Sequence, residues 1–135
     1  MGSFRNFVLA IVCPWVFCAS PLAAAELPEN LNCTAYIYGD VPFMTFFLKA
    51  QADGTIASPT QVEHYGQRQF VPVAHLQTQT DEMLHLLIGN DGDQLRLIVY
   101  NADATATGWR GVLINDNSPA MKEMQAKCVD HISGL

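Results

Sequence analysis

Charge is scarce in this chain and unevenly signed: 7 Lys and Arg stand against 13 Asp and Glu in 135 residues, a formal net charge of −6. So few cations make a poor partner for nucleic acid, where neutralised phosphates supply most of the affinity, and for anionic lipid surfaces. Beyond the first 25 residues no apolar run approaches the roughly 20 residues that a spanning helix needs. Nucleophilic machinery is missing as well. After residue 25 the serines are Ser58, before a proline, Ser118, placed to cap a helix, and the near-terminal Ser133, none of them in G-x-S-x-G. The four histidines, His64, His75, His85 and His131, form neither H-x-H nor H-E-x-x-H, although residues from separate strands can still converge on a metal. Asn90-Asp91-Gly92-Asp93 lacks the further acidic ligands of a calcium loop and reads as a turn. Nothing singles out Glu63, Asp81 or Glu82 as a carboxylate pair for glycoside chemistry. The sequence therefore assigns no catalytic residue, no cofactor-binding residue and no metal ligand, and a non-enzymatic role is expected.

What is present begins with a leader. Arg5 supplies a positive start, Phe7 to Phe17 an apolar stretch broken by Pro14, and Ala23-Ala24-Ala25 a small-residue run before Glu26. That order is a secretory signal peptide, so residues 1–25 are expected to be removed, leaving 26–135 as one domain. Pro14 and Ser20-Pro21 argue against a retained anchor, and bulky Trp15-Val16-Phe17 before Cys18 argues against lipid attachment. Arg5 leaves with the leader, which takes the formal charge from −6 to −7. A secreted or periplasmic location follows, with no membrane association after cleavage.

Cys13 and Cys18 lie in the leader, so Cys33 and Cys128 are the two cysteines that remain of 4. In an oxidising compartment such a pair reads as a disulfide. A redox or metal thiol pair would ordinarily show C-x-x-C proximity, which these residues lack.

Short runs punctuated by turn residues give a mainly β, α+β reading: six to seven antiparallel strands in a curved sheet or small barrel, with one C-terminal helix packed on it. The expected strands are Thr34–Tyr38, Phe43–Ala52, Thr55–Ala57 or a restart near Gln61, Gln69–Leu76, Met83–Gly89, Leu95–Tyr100 and Trp109–Asn115. Asp91-Gly92 between two apolar runs is the strongest hairpin signal. The helix is predicted over Pro119–Ile132, because Met121, Met124, Gln125, Cys128 and Ile132 share a helical face, Ser118 and Pro119 suit its start, and Gly134 suits its stop. Cys128 on that face would tie the helix to the first strand.

With chemistry set aside, recognition by surface is left. The polar stretch Val62 to Phe70 offers Tyr65 and Arg68, and Trp109-Arg110 at a strand start is a second candidate. The expected function is an exported, non-catalytic module that binds a protein partner, as an inhibitor or immunity-type protein does. That comparison rests on size, compartment and fold class, and no motif carries a resemblance to a family. The alternative is a barrel for a small ligand or lipid, which requires a hollow interior rather than a filled one.

Overall fold

The structure is a computed structural model and describes residues 27–77, 82–100, 108–120 and 122–131. Nine strands fill it: β1 Asn30–Ile37, β2 Val41–Lys49, β3 Thr60–His64, β4 Gln67–Val71, β5 Val73–His75, β6 Glu82–Ile88, β7 Leu95–Tyr100, β8 Trp109–Ile114 and β9 Glu123–Asp130. All pairings are antiparallel, in the order β4-β3-β2-β1-β9-β8-β7-β6-β5. Except for β4 and β5, which do not pair with one another, consecutive strands are paired, and the first pairs with the last. The two edge strands, β4 and β5, are separated only by Pro72. One bent strand therefore pairs with β3 through its first half and with β6 through its second, which makes the sheet a nearly closed barrel.

Proline suits that bend because it has no N–H to lose from a ladder. Its carbonyl is used, accepting a hydrogen bond from the Gly89 N–H at 3.0 Å. Two further bonds hold the seam together below the bend. The Ile56 N–H donates to His75 Nε2 at 2.9 Å and the Val73 N–H donates to Ser58 Oγ at 3.0 Å. Thus Ser58 and His75 are engaged in tying the β2–β3 connection to β5.

Alternation builds the core. Leu31, Cys33 and Ala35 of β1, Phe46 and Leu48 of β2, Leu84, Leu86 and Ile88 of β6, Leu97 and Val99 of β7, and Met124, Ala126 and Cys128 of β9 all turn inward. Their intervening neighbours turn outward, as a period of two requires. On the outer face of β7 and β8, Ile98, Val112 and Ile114 form a second, smaller buried cluster with Tyr100.

The expected C-terminal helix is corrected by β9. Glu123, Gln125 and Lys127 are exposed while Met124, Ala126 and Cys128 are buried, a strand pattern that had been masked by residues also spaced to suit a helix. Ser118 and Pro119 belong to a turn: the Asn117 N–H donates to Asn115 Oδ1 at 3.0 Å and the Ser118 N–H to the Asn115 carbonyl at 3.2 Å. The ends of the expected helix, Met121 and Ile132, lie outside the described residues, as does the expected leader. Among the described residues no helix packs on the sheet, and the count of six to seven strands rises to nine.

The disulfide is present and its setting differs from the expectation. Cys33 and Cys128 are directly opposite one another on β1 and β9, with Cα atoms 4.0 Å apart, across 95 positions of sequence. Both are fully buried. The bond fastens the first strand to the last from inside the barrel, rather than a helix to a sheet. A disulfide of this kind is consistent with a non-cytoplasmic protein.

Candidate binding site at the hairpin end of the barrel

In a meander of this kind alternate connections fall at the same end. The turns at Tyr38–Asp40, Tyr65-Gly66, Gly89–Gln94 and Asn115–Lys122 share one end, while the start of β1 and the finish of β9 mark the other. The expected site residues divide accordingly. Tyr65 and Arg68 belong to the first end, on a single hairpin, whereas Trp109 and Arg110 open β8 at the opposite end.

The polar stretch from Val62 to Phe70 is that hairpin. His64 pairs with Gln67, so only Tyr65 and Gly66 make the turn, with φ of 54° and 77°. Positive φ at both positions defines a type I′ turn, whose twist matches that of the flanking strands. Tyr65 holds a conformation that costs a non-glycine residue some energy, yet its side chain remains 77 % exposed. Its ring stacks on His64 at 4.2 Å, and His64 in turn meets the edge of Phe43 at 4.7 Å.

Arg68 lies on the outer face. Its Nε is 3.1 Å from Glu63 Oε1 and its guanidinium sits 5.0 Å from the centre of the Phe47 ring. Two positions on, Phe70 is 67 % exposed and with Phe47, Lys49 and Pro59 borders a shallow outer groove of about 180 Å³. A two-residue turn makes His64 and Gln67 a hydrogen-bonded pair, and the pattern then alternates through Val62 with Gln69 and Thr60 with Val71. The main-chain groups of Arg68 and Phe70 therefore face the side on which β4 has no neighbouring strand.

On that open side lies a cavity of about 260 Å³, between β4 and the end of β6. Phe43, Phe46, Val62, Val71, Ile88 and Met124 give it an apolar body, and His64, Gln69, Asn90, Asp93 and Asn115 bring polar groups to it. His64 Nε2 is buried and no protein group hydrogen-bonds to it. Comparison with family models, curated proteins and solved structures finds no match to this chain.

The loops around the mouth carry Asp40, Asp91, Asp93 and Asp116. Arg96 is committed there: its Nε and Nη2 donate to the two carboxylate oxygens of Asp116 at 2.9 and 3.2 Å. Hydrogen bonding to Arg96 holds the Asp116 carboxyl below the usual carboxylate range, and the same bonds raise Arg96 further. Tyr38, 85 % exposed in the β1–β2 turn, adds a third surface aromatic to Tyr65 and Phe70.

At the other end Trp109 is half-buried and packs against the core beside Cys128, its cross-strand partner. Arg110 faces outward with its guanidinium 5.9 Å from the centre of the Tyr100 ring. The histidines are dispersed. His64 lines the cavity, His75 accepts the Ile56 bond, His85 lies 3.4 Å from Glu82 on β6, and His131 Nδ1 accepts from Asn32 Nδ2 at 3.0 Å. Among the described residues no three His, Cys, Asp or Glu side chains come close enough to hold a metal ion.

Sequence reasoning found Tyr65 and Arg68 but missed Tyr38, His64 and Phe70. A signal was available: Tyr-Gly occurs twice, at 38–39 and 65–66, and each pair takes positive φ at both residues. A two-residue turn at Tyr65-Gly66 would have placed His64 and Phe70 on known faces.

Proposed function

We propose that the protein is an exported, non-catalytic binding module, secreted or periplasmic, that engages a protein partner through the β3–β4 hairpin, as an inhibitor or immunity-type protein would. The observation that supports this reading most is the edge strand β4, whose Arg68 and Phe70 main-chain groups have no neighbouring strand while Tyr65 and Phe70 expose most of their ring surface. Exposed aromatics contribute strongly to interfaces because they bury large area with few torsions to fix. An open edge adds main-chain hydrogen bonds to an incoming extended segment. The acidic surroundings favour a basic partner and speed its approach.

Residues 26–135, immobilised and exposed to periplasmic extract or culture fluid, test the proposal. The wild type is expected to capture a discrete partner, and Tyr65→Ala with Phe70→Ala to weaken that capture at least about tenfold, as loss of anchoring aromatics does. Equal capture by the variant, or none by the wild type, defeats the proposal.

A further inference from the structure

Taking the hairpin as the contact surface, as proposed above, we infer that the open cavity beside β4 takes up an extended, basic peptide segment as an added antiparallel strand. Its main chain would bond to Arg68 and Phe70, and one cationic side chain would turn inward toward Asp93. A ladder that stops short marks the place. Val73 of β5 pairs with Ile88 of β6, and the Gly89 N–H still reaches the Pro72 carbonyl at 3.0 Å, but the chain then turns away at Asn90. Phe70 and Arg68 precede Pro72 at intervals of two, so their N–H and C=O groups face the same side as the Pro72 carbonyl, and no strand pairs with them there. Two successive positions, roughly 7 Å apart, are thus open to a segment of three residues.

Gln69 supplies a second observation. It pairs with Val62 and stands two before Val71, both buried and inward, so its side chain belongs to the inner face; yet Gln69 is exposed and lines the cavity. The interior is open to water where a further strand would close it. Alternation then fixes what an added strand presents. Opposite residues of an antiparallel pair share a face, so guest residues opposite Arg68 and Phe70 lie outside and the one between them, opposite Gln69, points into the cavity. There Phe46, Val62 and Met124 are buried and apolar, while Asn90, Asp93 and Asn115 bring acceptors. A lysine suits both parts, because its stem lies along apolar surface while its ammonium reaches a carboxylate. Asp40 and Asp91 at the same end draw a cation and repel an acidic segment. Main-chain bonds from an open edge with pockets for alternate side chains are the general mode of strand addition.

The probe is the peptide acetyl-Thr-Thr-Val-Lys-Val-Thr-Thr-amide, titrated into residues 26–135 with the Arg68 and Phe70 amide NMR signals as reporters and Leu31 as a remote control. Saturable shifts at both reporters, with Leu31 unmoved, are expected. Methylating both valine nitrogens, which face β4 in this register, should abolish binding; methylating the main-chain nitrogen of the lysine, which faces away, should weaken it less than about threefold. Norleucine in place of the lysine should cost about tenfold and glutamate more, and Asp93→Asn should bring the lysine peptide down to the affinity of the norleucine peptide. Arg68→Pro removes a donor that no ladder uses, so β4 should persist as an edge strand while peptide binding falls at least about tenfold. Should that variant fail to fold, the methylated peptides on the wild type decide. The inference is overturned by the absence of saturable shifts, by equal loss from either methylation, or by equal affinity of the lysine and glutamate peptides. It is overturned too if the Arg68 and Phe70 signals move with protein concentration alone, the mark of a second copy taking the edge. A partner captured from extract equally well by the wild type and Arg68→Pro sinks strand addition and leaves the hairpin proposal intact; peptide binding without any captured partner does the reverse.

Discussion

Removing the Cys33–Cys128 bond is the perturbation whose size follows most directly from the structure. The linked residues are 95 positions apart, and in the chain-entropy account a closed loop of that length stabilises the fold by about 4–5 kcal/mol. Serine is the wrong replacement for measuring this. Both sites are fully buried, and a hydroxyl left there without a partner would add about 1–3 kcal/mol of its own. The double variant Cys33→Ala with Cys128→Ala leaves only a small packing loss beside the cross-link term. Urea unfolding of the two proteins, with the slope compared as well as the midpoint, should show a loss of about 4–5 kcal/mol, reduced if the unfolded wild-type chain is already compact. Hydrogen exchange then locates the effect. Protection should fall first along the β1–β9 seam, from Leu31 to Tyr36 and Gln125 to Asp130, while the β6–β7 hairpin, closed by a short local turn, keeps its protection longer. Free thiols in protein from an oxidising compartment, a loss under about 1 kcal/mol, or earlier opening of β6 and β7 would refute the reasoning.

Three further outcomes are expected. Tyr65→Ala with Arg68→Ala should change stability by less than about 1 kcal/mol, because a surface ion pair contributes little, yet should weaken partner capture; thermal unfolding beside a binding assay checks both. Gly111→Ala should destabilise by about 1–3 kcal/mol or more, since its added Cβ would stand 2.5 Å from the Ile98 carbonyl oxygen, a backbone atom with no freedom to retreat; the urea midpoint reports it. Asp116 has a folded-state pKa below its ordinary value, so the stabilisation from its bond with Arg96 is in place above about pH 4 and disappears as the pH falls through the depressed value. Arg96→Met should accordingly be less stable than wild type at neutral pH, with the gap in thermal midpoint closing in strong acid; a gap that persists there contradicts the assignment.

Local signals sufficed for part of this fold. The β6–β7 hairpin was legible because Asp91-Gly92 stands between two apolar runs, and the cysteine pair because nothing else was left for either residue to join. β9 was not legible, for a specific reason: Met124 and Cys128 suit both a helical stripe and a strand alternation, and Ser118-Pro119 tips the local balance toward a helix. Its conformation is decided by β1 and β8 on either side of it, partners that no local pattern reveals. The β3–β4 hairpin was obscured differently. Gln67, Arg68, Gln69 and Phe70 are all exposed, so polar and apolar residues do not alternate and the period-two signal is lost. The candidate site inherited that difficulty: Tyr65 and Arg68 stood out by residue type, whereas the cavity beside them is assembled from β2, β3, β4, β6, β7 and β9 and has no contiguous trace in the sequence.

The pairing of the first strand with the last bears on how the chain comes to be folded at all. Until Glu123–Asp130 is available, β1 and β8 each present an open edge, and any chain cut short before β9 would carry two such edges to its neighbours, a recognised route to aggregation. Closure spans the longest separation in the sheet, which makes it the slow step by the usual dependence on sequence distance. A nascent or threading chain therefore stays open over most of its length and becomes a barrel only when its final residues arrive. Quality control acting on truncated copies would find them by those two edges, which the finished molecule has shut and stapled.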